Sequence, residues 1–172
     1  VDGRPEFAVS AALVVGGKPV VGAVFNPATG PHGTLIEGSE GWGCRVDGEP
    51  AQTTAADDLA TARVECSGSE YRRGLYAPLT SRGVRPLPLG SVAWKVARVA
   101  AGLSDATFTP RPRSEWDLAG GVAILLAAGG RASDRHGSPY VFNRRRPVFD
   151  GVCCTNGPLH AQALEALGRL QP

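Results

Sequence analysis

Valine-rich stretches from Phe7 to Val15 and from Val20 to Phe25 flank Gly16-Gly17-Lys18-Pro19, where paired glycines supply the positive φ of a tight hairpin turn. An antiparallel hairpin is predicted. After the turn-forming Asn26-Pro27 and Thr29-Gly30-Pro31, short strands around Thr34 to Glu37 and Gly43 to Val46 continue a meander that ends at Asp47-Gly48. The small, polar stretch from Ala51 to Leu59 reads as a linker into a second layer, and Ala62 to Cys66 as a buried strand. From there the apolar period becomes helical. Ser91 can cap a helix whose Val92, Val96, Val99 and Leu103 fall at i, i+4, i+7 and i+11, with Gly102 near its end. Ser114 starts another, carrying Leu118, Val122, Leu125 and Leu126 and stopped by Gly129-Gly130. Strands are expected at Asp105 to Thr109 and Val152 to Cys154, and Asn156-Gly157-Pro158 leads into a last helix through Leu170. The order predicts an α+β chain in which residues 1–50 end an antiparallel-sheet half and residues 51–172 form a C-terminal α/β half.

Composition narrows the function classes. With 172 residues, 42% hydrophobic and 20% charged, there is material for one packed domain and not comfortably two. A net charge of +2, with no Lys/Arg run interleaved with aromatics, argues against a nucleic acid polymer as partner. The longest apolar runs, Ala11 to Val15 and Val122 to Ala128, fall far short of the roughly 20 residues of a membrane span. Cys44, Cys66, Cys153 and Cys154 lack C-x-x-C spacing, so reduced thiols in a cytoplasmic protein are expected. His32, His136 and His160 stand apart, against a zinc site. The chain has no Met and starts at Val1 directly ahead of a strand, without a secretory pattern, so it is expected to be the interior of a longer reading frame.

The stretch Ser114-Glu115-Trp116-Asp117-Leu118-Ala119-Gly120-Gly121 puts carboxylates in the first turn of a helix, beside small residues that let a ligand or another backbone come close. Two readings fit. Ser114 and Asp117 form a capping box, or Asp117, kept ionised at a helix N-terminus, offers the hard oxygen that Mg²⁺ requires.

Trp116-Asp117-Leu118-Ala119-Gly120-Gly121, with Ala127-Ala128-Gly129-Gly130 and Asp134 ahead of Gly137-Ser138-Pro139, resembles the C-terminal signature of the inositol monophosphatase superfamily. Gly90-Ser91, with Val99-Ala100-Ala101-Gly102 and Asp105-Ala106, looks like that family's G-S-x(7)-V-A-x-G-x-x-D-A segment. Gly41-Trp42-Gly43-Cys44 with Asp47-Gly48 looks like its G-x-G-A…N-G hairpin. The resemblance implies the layered α-β-α-β-α sandwich of sugar and inositol phosphatases with its N-terminal portion missing, Mg²⁺ as cofactor, and hydrolysis of a phosphomonoester by metal-activated water. In such proteins most metal ligands come from an upstream helix with paired glutamates and a D-P-[ILV]-D-G-T loop, and neither occurs in this sequence. Val1-Asp2-Gly3-Arg4 echoes that loop, with Asp2 read as lying just past it. Asp117 is the candidate catalytic residue and metal ligand.

Substrate contacts implied by the resemblance begin with Gly90 and Ser91, at a helix N-terminus that favours an anion; Ser91 serves equally as an ordinary N-cap. Lys95 stands where the 3'(2'),5'-bisphosphate nucleotidase branch carries a phosphate-contacting lysine, and Glu115 before the Trp-Asp pair is similar to that branch. Glu70 departs from the branch's S-R-S-H motif, and Thr109 stands near the place of a later arginine, for which Arg111 or Arg113 could substitute. Arg111 is the candidate carried forward. Arg144-Arg145-Arg146 reads as a charged loop, and Trp42 and Trp94 as core or interface anchors. Two functional classes remain. One is a Mg²⁺-dependent phosphatase for a small phosphorylated metabolite, an inositol monophosphate or a nucleotide 3',5'-bisphosphate, homodimeric when intact. The other is a catalytically incomplete folding or assembly module whose first strand is an edge that recruits other chains.

Overall fold

The computed structural model describes residues 6–170. The hairpin forms as β1 (Val9–Val15) and β2 (Lys18–Asn26), with Gly16 and Gly17 at φ 57° and 80° in the turn. The meander continues through β3 (Thr34–Ser39), β4 (Gly43–Val46) and β5 (Glu49–Ala51), giving five antiparallel strands paired in sequence order. Next come β6 (Val64–Cys66), α1 (Gly68–Arg72), α2 (Ala77–Thr80), β7 (Leu87–Pro88) and α3 (Val92–Ala100). The chain finishes with β8 (Ala106–Thr109), β9 (Arg113–Ser114), α4 (Glu115–Ala127), β10 (Arg131–Ser133), β11 (Val148–Phe149), β12 (Val152–Thr155) and α5 (His160–Gly168). The second sheet runs β10-β12-β8-β6-β7, parallel where β6 meets β7 and β8, while β9 and β11 pair separately.

One apolar core joins Val24 and Ile36 of the first sheet to Val96 of α3, Leu118, Val122 and Leu125 of α4, and Val152 and Cys154 of β12. A second core, on the other face of the second sheet, joins Val64, Phe108 and Cys153 to Tyr76, Leu79 and the α5 residues Ala163 and Leu167. Adjacent Cys153 and Cys154 thus point into different cores. The described residues build four consecutive layers of the expected sandwich: sheet, α3 with α4, sheet, and α1, α2 and α5. β8 and β12 are buried at every position, because helices cover both faces of their sheet. α4, held between two sheets, is accordingly apolar around most of its circumference.

The small residues of α4 admit another backbone. A Cβ on Gly22 of β2 would lie 2.1 Å from the carbonyl oxygen of Gly120, and one on Gly120 would lie 2.8 Å from that of Ala11. The capping box does not form: Ser114 belongs to the ladder with Val148, its side chain caps nothing, and the Glu115 N–H donates instead to Pro147 O at 3.0 Å. Ser91 does cap α3, its Oγ accepting from the Trp94 N–H at 3.2 Å. Trp94 is buried in the core, whereas Trp42 is half exposed, with the Arg45 guanidinium 4.9 Å above its ring. Leu103 and Leu126, both expected on apolar faces, are largely exposed: α3 ends at Ala100, and Leu126 lines an open groove beside Val20 and Tyr140. Among the described residues no helix is long and apolar enough to cross a membrane.

Gly22→Ala forces a methyl group into the Gly120 carbonyl and costs roughly 2–3 kcal/mol, seen as a Tm lower by about 6 °C or more. Gly168→Ala, which meets no atom within 4 Å, shifts stability by less than about 1 kcal/mol in the same thermal melt.

Candidate active site

Asp117 stands in the first turn of α4, partly exposed, and makes no hydrogen bond or ion pair among the described residues. Its neighbour in that turn, Glu115, is spent: buried, it accepts from the backbone N–H of Asn143 (2.8 Å) and Arg144 (3.3 Å) and from Arg144 Nε (3.4 Å). Arg144 is thereby tied down, with its guanidinium 4.2 Å above the Phe149 ring, yet it is exposed like Arg145 and Arg146, as a charged loop requires. Other acids of the quoted motifs are also occupied. Asp105 accepts from Thr54 Oγ1 and from the N–H of Arg63, both at 2.6 Å. Burial alone would raise its pKa, but the Arg63 and Thr54 hydrogen bonds outweigh that and hold it below the ordinary value. Asp134 Oδ1 accepts from the His136 and Ser138 N–H groups, fastening its own turn.

Gly90, Ser91 and Lys95 come together at the start of α3. The Gly90 N–H donates to Glu6 Oε2 at 3.2 Å, and Ser91 adopts φ 55°, an uncommon conformation for a side-chain-bearing residue. Lys95 is buried and holds this turn from inside, its Nζ donating to the carbonyls of Leu89 (3.0 Å) and Ser91 (3.2 Å). Burial first, and the Arg113 guanidinium second, push its pKa down to about 8. The cavity that Lys95 shares with Ser67, Thr109 and Arg113 measures about 10 Å³, close to the volume that one water requires.

A buried network that the sequence did not disclose adjoins it. Glu70 pairs with Arg113 and accepts from Thr109 Oγ1 at 2.8 Å, and the Tyr76 hydroxyl, 3.0 Å from Glu70 Oε2, also reaches Phe108 O at 2.9 Å. Glu70 of α1 and Arg113 of β9 lie 43 residues apart in sequence, and no local spacing marks them as partners. Arg111, two residues from each of Thr109 and Arg113, points into a neighbouring cleft of about 510 Å³. The structure therefore brings Gly90, Ser91 and Lys95 into one cluster, puts Arg111 in a different cleft, on the wall with Glu70, and leaves Asp117 on α4 without a partner among the described residues. Asp2 lies outside the described residues.

As a test for magnesium, Asp117 has the right chemistry for one coordination position: an ionisable hard oxygen at a helix N-terminus with no competing partner. It stands alone in this. Among the described residues, no three of His, Cys, Asp or Glu gather to hold a metal ion.

The model of the inositol monophosphatase family matches residues 1–171. The chain belongs to the inositol monophosphatase family. Among its family relatives, it is 30% identical over 175 residues to "Inositol monophosphatase 3" of Solanum lycopersicum, covering 97% of this chain and 62% of that protein. It is also 30% identical to the "Inositol-1-monophosphatase" of a Synechocystis strain, over 96% of this chain and 60% of that protein. The chain thus spans about three fifths of the length of these curated relatives. Among solved structures of the family, the Thermotoga maritima IMPase superposes with TM-score 0.83 at 26% identity, covering 96% of this chain and 62% of that one. The inositol monophosphatase of Anabaena superposes with TM-score 0.78 at 28% identity, over 98% of this chain and 66% of that one.

Two outcomes follow from the buried charges. Arg113→Ala strips Glu70 of its counter-charge and costs roughly 3 kcal/mol in urea unfolding, and adding Glu70→Gln to it recovers part of that loss. For Lys95, the folded chain loses its proton near pH 8 while the unfolded chain keeps it to about pH 10.5, so the unfolded state binds more protons in that window. The stability that Lys95 contributes therefore rises with pH, by on the order of 2 kcal/mol between about pH 8 and 9.5 relative to Lys95→Met. Urea midpoints of the two chains at both pH values measure it.

Proposed function

We propose that this chain carries part of the active site of a Mg²⁺-dependent phosphatase that hydrolyses a small phosphomonoester, an inositol monophosphate or a nucleotide 3',5'-bisphosphate. The observation that carries the reading is Asp117, a carboxylate without a partner among the described residues at the head of α4, while its first-turn neighbour Glu115 is fully engaged. The names of the family relatives support the activity. Asp117 would hold magnesium together with ligands from outside the described residues; when bound, the metal supplies an activated water and stabilises charge on the leaving oxygen. The chain's own groups act around that chemistry. The N-terminus of α3 directs its positive dipole end toward the Gly90-Ser91 turn, where an anionic substrate group is favoured. Lys95 fixes the shape of that turn through its two carbonyl contacts and adds positive charge beneath it below pH 8. Glu70, anchored by Thr109, holds Arg113 beside the start of α4. The four cysteines are free and buried, which fits a reducing compartment such as the cytoplasm.

One observation favours the second reading, an assembly module. β1 is an edge strand whose Val9, Leu13 and Val15 are exposed, a surface suited to pairing with another chain or a second copy.

Phosphate release from inositol 1-phosphate and from adenosine 3',5'-bisphosphate, with and without Mg²⁺, separates the two. The phosphatase reading expects Mg²⁺-dependent release that Asp117→Asn lowers by about a hundredfold or more. Release that is indifferent to both Mg²⁺ and Asp117 would sink it. Self-association without turnover would favour the assembly module.

A further inference from the structure

The cleft of about 510 Å³ that Glu70 also lines has three arginines in its wall, Arg73, Arg111 and Arg169. They arrive from three separate elements. Arg73 closes α1, Arg169 closes α5, and Arg111 lies between Pro110 and Pro112 on the connection from β8 to β9. Among the described residues no carboxylate pairs with Arg73 or Arg111, and the Arg111 Nε is buried without an acceptor. Arg169 pairs with Glu165, an exposed acid one turn back on α5. The acid that lines the cleft, Glu70, already serves Arg113, Thr109 and Tyr76, so it does not answer the charge of Arg73 and Arg111.

We propose that this cleft binds a phosphate-type dianion through Arg73, Arg111 and Arg169. Arg73 and Arg111 have no paired carboxylate among the described residues, and the planar forks of guanidiniums match the oxygens of a phosphate group. A cation at a helix C-terminus is favourable for the helix itself, which accounts for Arg73 and Arg169. It does not account for Arg111, which is on a loop and has a buried donor left over. That loop is prepared in advance: the two prolines restrict it, and the Arg111 N–H donates to Thr109 Oγ1 at 3.2 Å, so binding orders little further. The dianion arrives either as a phosphate group of an organic ligand or as free inorganic phosphate, and the cleft chemistry is common to both. At Arg111, a candidate substrate contact, the inference deepens the phosphatase reading; with Arg73 and Arg169 it goes beyond it, and the binding needs no turnover.

Calorimetric titration of the chain without Mg²⁺, using inorganic phosphate in one arm and inositol 1,4-bisphosphate in the other, tests it. Saturable binding that weakens with added salt is expected. Arg111→Ala, and separately the double change Arg73→Ala/Arg169→Ala, should weaken it by about tenfold or more. Arg146→Ala, an exposed loop arginine away from the cleft, should leave it unchanged. Arg111→Lys guards against misfolding, since it keeps the charge but not the fork, and is expected to bind between wild type and Arg111→Ala. Tighter binding of the bisphosphate, lost in the cleft variants, supports the site with an organic phosphate as ligand; equal affinities lost in those variants support it with free phosphate. Binding that never saturates, or that Arg146→Ala weakens as much as Arg111→Ala, overturns the proposal. Phosphate release measured in parallel keeps the two readings apart, because turnover can fail while this binding persists.

Discussion

The backbone of α4 lies so close to the first sheet that no side chain fits between them at Gly22 and Gly120. Most of the structure depends on that approach. It lets α4 run between the two sheets as a buried rod, with Leu118, Val122 and Leu125 filling the first core, and it sets the depth at which the head of the helix emerges. The emergence point is secured a second time by Glu115, whose carboxylate gathers the Asn143 and Arg144 N–H groups. The first turn of this rigid element therefore carries one engaged acid, Glu115, and one, Asp117, that no described residue engages.

Around that point the charges divide cleanly. Acids that look alike in sequence have different fates: Glu115, Glu70, Asp105 and Asp134 are each consumed by hydrogen bonds that hold loops or neighbouring elements, while Asp117 is left over. Among the cations, Lys95 and Arg113 are drawn inside, and Arg73 and Arg111 are left unanswered on the wall of a cleft. Burying a charge without a partner is costly, so the groups drawn inside are the ones that find partners, while those left unpaired keep contact with solvent.

Family membership is consistent with this division. The chain covers about three fifths of its curated relatives, 62% of the Solanum lycopersicum protein, and the fold superposes well on solved members. Within the four layers of the described residues, Asp117 is the first-turn acid of α4 that no other described residue engages. The Gly90-Ser91 turn is fastened from two sides, by Glu6 and by Lys95.

The sequence by itself determined the elements whose signals are local. The valine-rich hairpin, the Ser91 cap, the heptad-like spacing of α3 and α4 and the glycine stops are all set by neighbours within about a turn, and they appear as expected except at Leu103 and Leu126, the exposed last positions of the two stripes. The motif residues made the family legible as well. Two-residue strands such as β7, β9 and β11, and the short α1 and α2, carry too few residues for a period to show. What the tertiary structure alone decided is which polar groups meet. Glu70 finds Arg113 across 43 residues, Ser114 at the N-cap position of α4 pairs with Val148 while its side chain caps nothing, and Arg111 joins Arg73 and Arg169 from three segments. Such encounters depend on how layers stack, and stacking follows from long-range burial rather than from any local spacing.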